Sequence, residues 1–295
     1  MNARSLGLGL IPALFVFLWS TGWVAARYVT PYADPLTFLA VRFGLAAVLI
    51  GTYALTFGAG LPRDPRFILH ALITGALLHG LYLGGVWWAI AHGIPAGLSA
   101  LIASVQPLLT ALLAPRLLGE MLTTRRKLGV ALGFIGLVIA LSPKLAGLGS
   151  DHVAGVLGPL AVNLVGMVAV TAGTFWQKRF LQGGDLRTIA ALQYCAAFAT
   201  VAPLALATES LRFEPTPELF FALAWSVLVL SILTIALYLF LIRRGEVSRA
   251  AVLIYLVPPV SALQAWALIG EMLTPIQFAG MAVTVAGVAL ASSRG

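Results

Sequence analysis

His79 stands in the middle of a long apolar run, and Tyr82 and Val86 follow at three and seven residues, the spacing of one helical face. An imidazole at that depth can hold a hydrogen bond or a proton beside a polar path. Gln106 lies in a similar run next to Pro107 and shares a helical face with Ser99, Ala103 and Thr110. A carboxamide so placed either bridges two helices or meets a ligand. Trp19 and Trp23 in the first apolar run and Tyr255 in the ninth offer broad faces to an apolar solute or to the core. Trp87, Trp88 and Trp176 fall near the ends of their runs, where an interfacial belt accounts for them. Tyr238, Thr234 and Ser231 form a polar edge in the eighth run, and Asn163 and Thr174 a similar one in the sixth. All are groups for non-covalent recognition. The candidates for solute contact are Trp19, Trp23, His79, Tyr82, Ser99, Gln106, Asn163, Tyr238 and Tyr255.

Residues for covalent chemistry are missing from the pattern. The sequence has no phosphate-binding P-loop, no HExxH, no cysteine pair and no Gly-x-Ser-x-Gly elbow. The four histidines lie far apart, so no catalytic residue, metal or cofactor is expected. Every Asp and Glu falls in a loop or at the end of a run, which leaves no intramembrane acid to drive a proton pump. Cys195 excludes an internal disulfide and reads as a small buried apolar residue. Arg42, eight residues after Asp34, is close enough to the end of its run to snorkel, so a structural or topological role is expected.

The elements that must carry these groups follow from composition. Of the 295 residues, 60% are hydrophobic and 9% charged, with a mean hydropathy of +1.00. Lipid is the solvent for such a chain. Charge, Pro and Gly divide it into ten stretches of spanning length, at 6–28, 36–57, 67–91, 96–117, 125–141, 153–178, 186–206, 217–242, 248–269 and 275–291. The first is expected to be a retained helix rather than a signal peptide. The net charge of +8 is arranged by loop. With the N-terminus inside, fourteen Lys and Arg fall in inside loops and three outside. That bias is a topology signal that places both termini in the cytoplasm, and it excludes a nucleic-acid surface.

Gly119-Glu120-Met121-Leu122-Thr123 recurs letter for letter as Gly270-Glu271-Met272-Leu273-Thr274. Gly93 to Pro107 aligns with Gly245 to Pro259, and Gly129, Ala131, Gly136 and Ala140 fall on Gly280, Ala282, Gly287 and Ala291. Such self-similarity predicts two five-helix repeats, 1–145 and 150–295. Five is odd, so matched helices must run in opposite directions across the membrane. Pro107 in the fourth stretch matches Pro259, beside Pro258, in the ninth. Prolines at mid-membrane free backbone carbonyls and suggest matched hinges at Pro107, Pro258 and Pro259.

The two repeats, the proline-containing fourth and ninth helices and the repeated Gly-Glu-Met-Leu-Thr together resemble the drug/metabolite transporter superfamily, in its EamA-type ten-helix branch. Phe17-Leu18-Trp19-Ser20-Thr21-Gly22-Trp23 in the opening helix, and Arg42 with its repeat counterpart Gln193, add to the likeness. The resemblance covers essentially the whole chain. It implies an all-α polytopic membrane protein whose ten transmembrane helices form two inverted five-helix repeats around a central cavity. It further implies export or facilitated passage of small metabolites across the bacterial inner membrane by alternating access. The best analogy is to YddG-type exporters of neutral and aromatic amino acids, functional as a monomer. The chain lacks the first-helix acid of the small multidrug exporters of the same superfamily, which makes proton-coupled multidrug efflux the second choice. A membrane-embedded enzyme is the third.

Overall fold

The computed structural model describes residues 3–118, 123–146, 153–234, 236–237 and 256–292. Among them the regular structure is helical, with one isolated bridge between Ala33 and Phe213. The helices are α1 (Ala3–Val29), α2 (Pro35–Thr56), α3 (Pro65–Gly75), α4 (Tyr82–Ala91), α5 (Ala96–Ile102), α6 (Val105–Leu118), α7 (Thr124–Ala146), α8 (Val153–Phe180), α9 (Leu186–Thr208), α10 (Pro217–Ala224), α11 (Val257–Ile269) and α12 (Pro275–Ser292). Two π-helical segments interrupt this series. Ala76–Leu81 joins α3 to α4, and Trp225–Leu233 continues α10. Six continuous helical stretches among the described residues are long and apolar enough to cross a membrane. Tyr238, Tyr255, Glu120 and the start of the ninth stretch lie outside the described residues.

Local chemistry sets the helix ends, and the repeats share it. Asp34 and its match Asp185 are the residues before α2 and α9; Asp64 and its match Thr216 precede α3 and α10. Asp185 and Asp64 accept from the backbone N–H two residues on, and Thr216 from that of Leu219, which satisfies helix donors that have no intrahelical partner. Proline occupies the first turn of α2, α3 and α10. In the second pentapeptide Gly270 closes α11 in the left-handed region, at φ 68°. Thr274 and Gln277 then exchange hydrogen bonds, backbone to side chain in each direction, as a capping box for α12.

The helices gather into two compact units, and each draws on both halves of the sequence. One comprises Met1–Ala25, Gly93–Leu160 and Leu233–Gly295; the other comprises Ala26–His92 and Ala161–Ile232. The first contains α7 and α12, the matched fifth and tenth stretches. They run antiparallel at backbone contact: Gly129 faces Ala291, Gly133 faces Gly287, Gly136 faces Thr284 and Ala140 faces Gly280. The second unit contains α2 and α9, the matched second and seventh, also antiparallel. Gly44 meets Phe198 and Gly51 meets Ala191. At one end of this pair Glu209 accepts from the Leu36 and Thr37 N–H groups at 2.8 and 2.7 Å. At the other, Arg187 donates to the Phe57 carbonyl at 3.2 Å. Acid thus sits at the N-terminus of α2 and base at its C-terminus, as the helix dipole favours.

Both loop acids are held ionised. For Asp185 the Arg187 side chain and N–H lower the carboxyl to about 2. For Asp34 partial burial works the other way, and the Arg212 N–H, the Ser210 hydroxyl and the Arg212 guanidinium overcome it, leaving the carboxyl below its usual range.

Candidate functional site

The second unit encloses a polar centre on facing helices. Arg42 of α2 is 4% exposed and donates from Nε to Ser231 Oγ at 3.2 Å. Its guanidinium lies over Phe43 and Trp87, at 5.8 and 5.7 Å from the ring centroids. Trp87 in turn stacks on Phe38, with centroids 5.1 Å apart and planes at 13°. Arg42 therefore does not snorkel, and Trp87, 1% exposed, belongs to the core rather than to an interfacial belt. The reason is the same for both: α2 packs on α4 as well as α9, so a side chain directed along that face meets protein instead of headgroups.

On the other side of the centre His79 stacks on Tyr194, with centroids 4.8 Å apart and planes at 12°. Its imidazole lies beside the side chain of Gln193. Gln193 Nε2 also donates to Gln177 Oε1 at 3.3 Å, and the Tyr194 hydroxyl donates to the Ser231 carbonyl at 3.4 Å. These partners obey the repeat register. Arg42 matches Gln193 and Phe43 matches Tyr194. In the frame that aligns Pro65 with Pro217 and Gly93 with Gly245, His79 matches Ser231. Arg42 bonds the match of His79, and Gln193 lies beside His79 itself. Residue i touches j′ while i′ touches j, the signature of a local two-fold axis.

His79 and Ser231 both sit in π-helical segments. A π turn holds one residue more than an α turn and displaces its backbone hydrogen bonds, which is why such segments recur at functional sites. Here the two segments end on matched residues, Leu81 and Leu233, and aim their polar groups at the same centre.

The remaining candidates divide between the units. Tyr82, 8% exposed, opens α4 with its backbone against Gly166, and Asn163 is fully buried on α8; both belong to the second unit with His79. Trp19, Trp23, Ser99, Gln106, Pro107, Pro258 and Pro259 belong to the first. There Ser261 Oγ donates to the Ser20 carbonyl at 3.0 Å, Ser20 Oγ donates to the Val257 carbonyl at 3.4 Å, and Gln264 Nε2 donates to the Phe17 carbonyl at 3.0 Å. The serine of the opening-helix motif is thereby spent on joining α1 to α11.

Pro107 follows a break in its stretch rather than kinking a continuous helix. The fourth stretch stops at Ile102, turns through Ala103 and Ser104, and restarts at Val105, which puts Pro107 in the first turn of α6. Pro258 and Pro259 likewise occupy the first turn of α11, whose first residue, Val257, is the match of Val105. A proline is tolerated there because first-turn N–H groups have no helical acceptor. The carbonyl that Pro107 would release, that of Ala103, accepts instead from Gln106 N–H at 3.1 Å. Cys195, expected to be buried, lies on the exposed side of α9.

The sequence reading placed Ser231 and Gln193 but gave them no site role, and it missed Phe43 and Tyr194. The repeat register was the available signal for two of them, because it pairs Ser231 with His79 and Gln193 with Arg42; Phe43 and Tyr194 pair only with each other. The assembled centre offers one buried cation, amide and hydroxyl groups, and aromatic faces. It has no nucleophile–base pair, and among the described residues no cluster of His, Cys, Asp and Glu could hold a metal.

The profile of the EamA-like transporter family matches residues 6–142 and 157–293. A probable amino-acid metabolite efflux pump of Salmonella typhimurium is 27% identical over 95% of this chain and 92% of its own. The uncharacterized inner membrane transporter YedA of Escherichia coli K12 is 28% identical over 98% and 92%. A crystal structure 22% identical in sequence matches with a TM-score of 0.68 over 96% of each chain, a likeness of fold.

Proposed function

Because this chain belongs to the EamA-like transporter family, and is a membrane transporter of small molecules rather than an enzyme, we propose that it exports or facilitates the passage of neutral amino acids, aromatic ones included. The path crosses the bacterial inner membrane by alternating access, with both termini cytoplasmic, and the working unit is a monomer. The observation that carries this reading is the pseudo-two-fold polar centre. Arg42 bonded to Ser231 and Gln193 beside His79 form two related polar pairs on matched helices of opposite direction. A site built this way presents similar groups whichever side of the membrane it opens to, which suits a carrier made of inverted repeats. Aromatic faces at Tyr194, Phe43 and Trp87 suit the apolar part of an aromatic amino acid, and the likeness to an amino-acid metabolite efflux pump favours the same class.

Counterflow tests it. Purified protein in liposomes loaded with unlabelled phenylalanine should accumulate external labelled phenylalanine transiently above equilibrium. Liposomes that show no such overshoot with any neutral amino acid, yet show it with cationic dyes, would replace this reading with multidrug efflux.

A further inference from the structure

We propose that the Arg42 guanidinium is the group that recognises the carboxylate of the transported solute and makes the path selective for acids over their uncharged or cationic analogues. This rests on the carrier function proposed above and adds to it the residue that decides solute charge.

Three observations converge on Arg42. It lies within a membrane-spanning helix and is 4% exposed, yet among the described residues no carboxylate pairs with it. Isolated charge at this depth is unfavourable, and proteins keep it where a counter-charge arrives. Its donors are also unspent. A guanidinium carries five N–H groups. Nε serves Ser231, while the two terminal nitrogens make no hydrogen bond within the described residues. Two parallel N–H donors from those nitrogens match the two oxygens of a carboxylate.

The third observation is the break in symmetry. The opposite pole of the centre holds a neutral amide, Gln193, at the position matched to Arg42. That difference in charge would orient a zwitterionic or anionic solute between them. Phe43 and Trp87 flank the guanidinium at 5.8 and 5.7 Å and hold its plane without neutralising it. The same fixed positive charge repels cations.

The natural variant for the test is Arg42→Gln, which installs the residue of the matched position and keeps a donor for Ser231; Arg42→Lys keeps the charge and loses the planar fork. Two readouts are needed. In detergent, wild-type protein should be stabilised against heat by phenylalanine and by benzoate, and not by benzamide. Arg42→Gln should lose that response, with an apparent affinity for benzoate about 10- to 100-fold weaker, the range for a charge-assisted hydrogen-bonded pair. Arg42→Lys should retain part of it. In liposomes, the preference for phenylalanine over phenylalaninamide should collapse in Arg42→Gln, and Arg42→Gln with Gln193→Arg should recover part of it. An unchanged acid preference in well-folded Arg42→Gln overturns the proposal, as does a wild-type protein indifferent to both phenylalanine and benzoate. Benzoate stabilisation that depends on Arg42, without any amino-acid counterflow, would retain the anion site and discard the amino-acid reading.

Discussion

Gly136 stands so close to Thr284 that a Cβ on the glycine would lie 2.4 Å from the Thr284 amide nitrogen. The matched contact, Gly287 against Gly133, is equally tight at 2.3 Å. One antiparallel crossing therefore repeats itself across a local axis, and the absence of side chains is what lets the backbones meet. Gly136→Ala should lower stability by about 1–3 kcal/mol, the usual cost of overpacking. Gly155→Ala, with nothing within 4 Å, should cost nothing. Thermal melting of the two variants in detergent checks this; equal melting temperatures would rule out close packing of α7 on α12.

Glu209 satisfies two backbone N–H groups and the Thr37 hydroxyl at the start of α2. Glu209→Ala should destabilise by about 1–2 kcal/mol, the value of a lost cap with its dipole contribution. Glu209→Gln should recover part, since an amide oxygen still accepts. Chemical unfolding in mixed micelles would show the order wild type, Gln, Ala.

His79→Ala removes the Tyr194 stack and the imidazole beside Gln193 from the polar centre. Flux of labelled phenylalanine in proteoliposomes should fall about tenfold, as loss of about 1.4 kcal/mol of ring contact implies. Tyr82→Ala should also slow flux. Full activity in both folded variants would take these residues out of the solute path.

Asp185 titrates at about 2 when folded, against the ordinary 3.8, because Arg187 holds its charged form. A depressed folded value means the unfolded chain binds the proton first as pH falls. The contribution is complete above about pH 4 and fades between there and pH 2. Asp34 contributes in the same direction. The melting temperature should be insensitive to these two acids from pH 5 to 8 and decline below 4. Asp185→Asn should flatten part of that acid limb; an identical limb in the variant would show that the Arg187 pair carries no stability.

If the repeats are inverted across the membrane, the two copies of the pentapeptide face opposite compartments. In a Cys195→Ala background, Glu120→Cys should react with an impermeant maleimide only after the membrane is opened, and Glu271→Cys should react in intact cells. Labelling of both from one side would end the two-fold description.

Sequence alone determined the helical spans, the duplicated register and the charge bias of the loops. Hydropathy, the Asp and Thr caps and first-turn prolines are properties of neighbouring residues, legible without knowing what packs on what. The tertiary structure decided which helices pair, and so what each polar side chain meets. Arg42 read as a residue near a helix end; packing of α2 against α4 and α9 made it the charged pole of a buried centre. Phe43 and Tyr194 carry no local signal of a site, and the antiparallel pairing of their helices brought their rings into tilted contact, with centroids 5.9 Å apart. The π segments at His79 and Ser231 and the break before Pro107 alter helix phase locally, which periodicity cannot register. Long-range contacts select among side-chain directions that local sequence leaves equal, and a recognition site is made of those contacts.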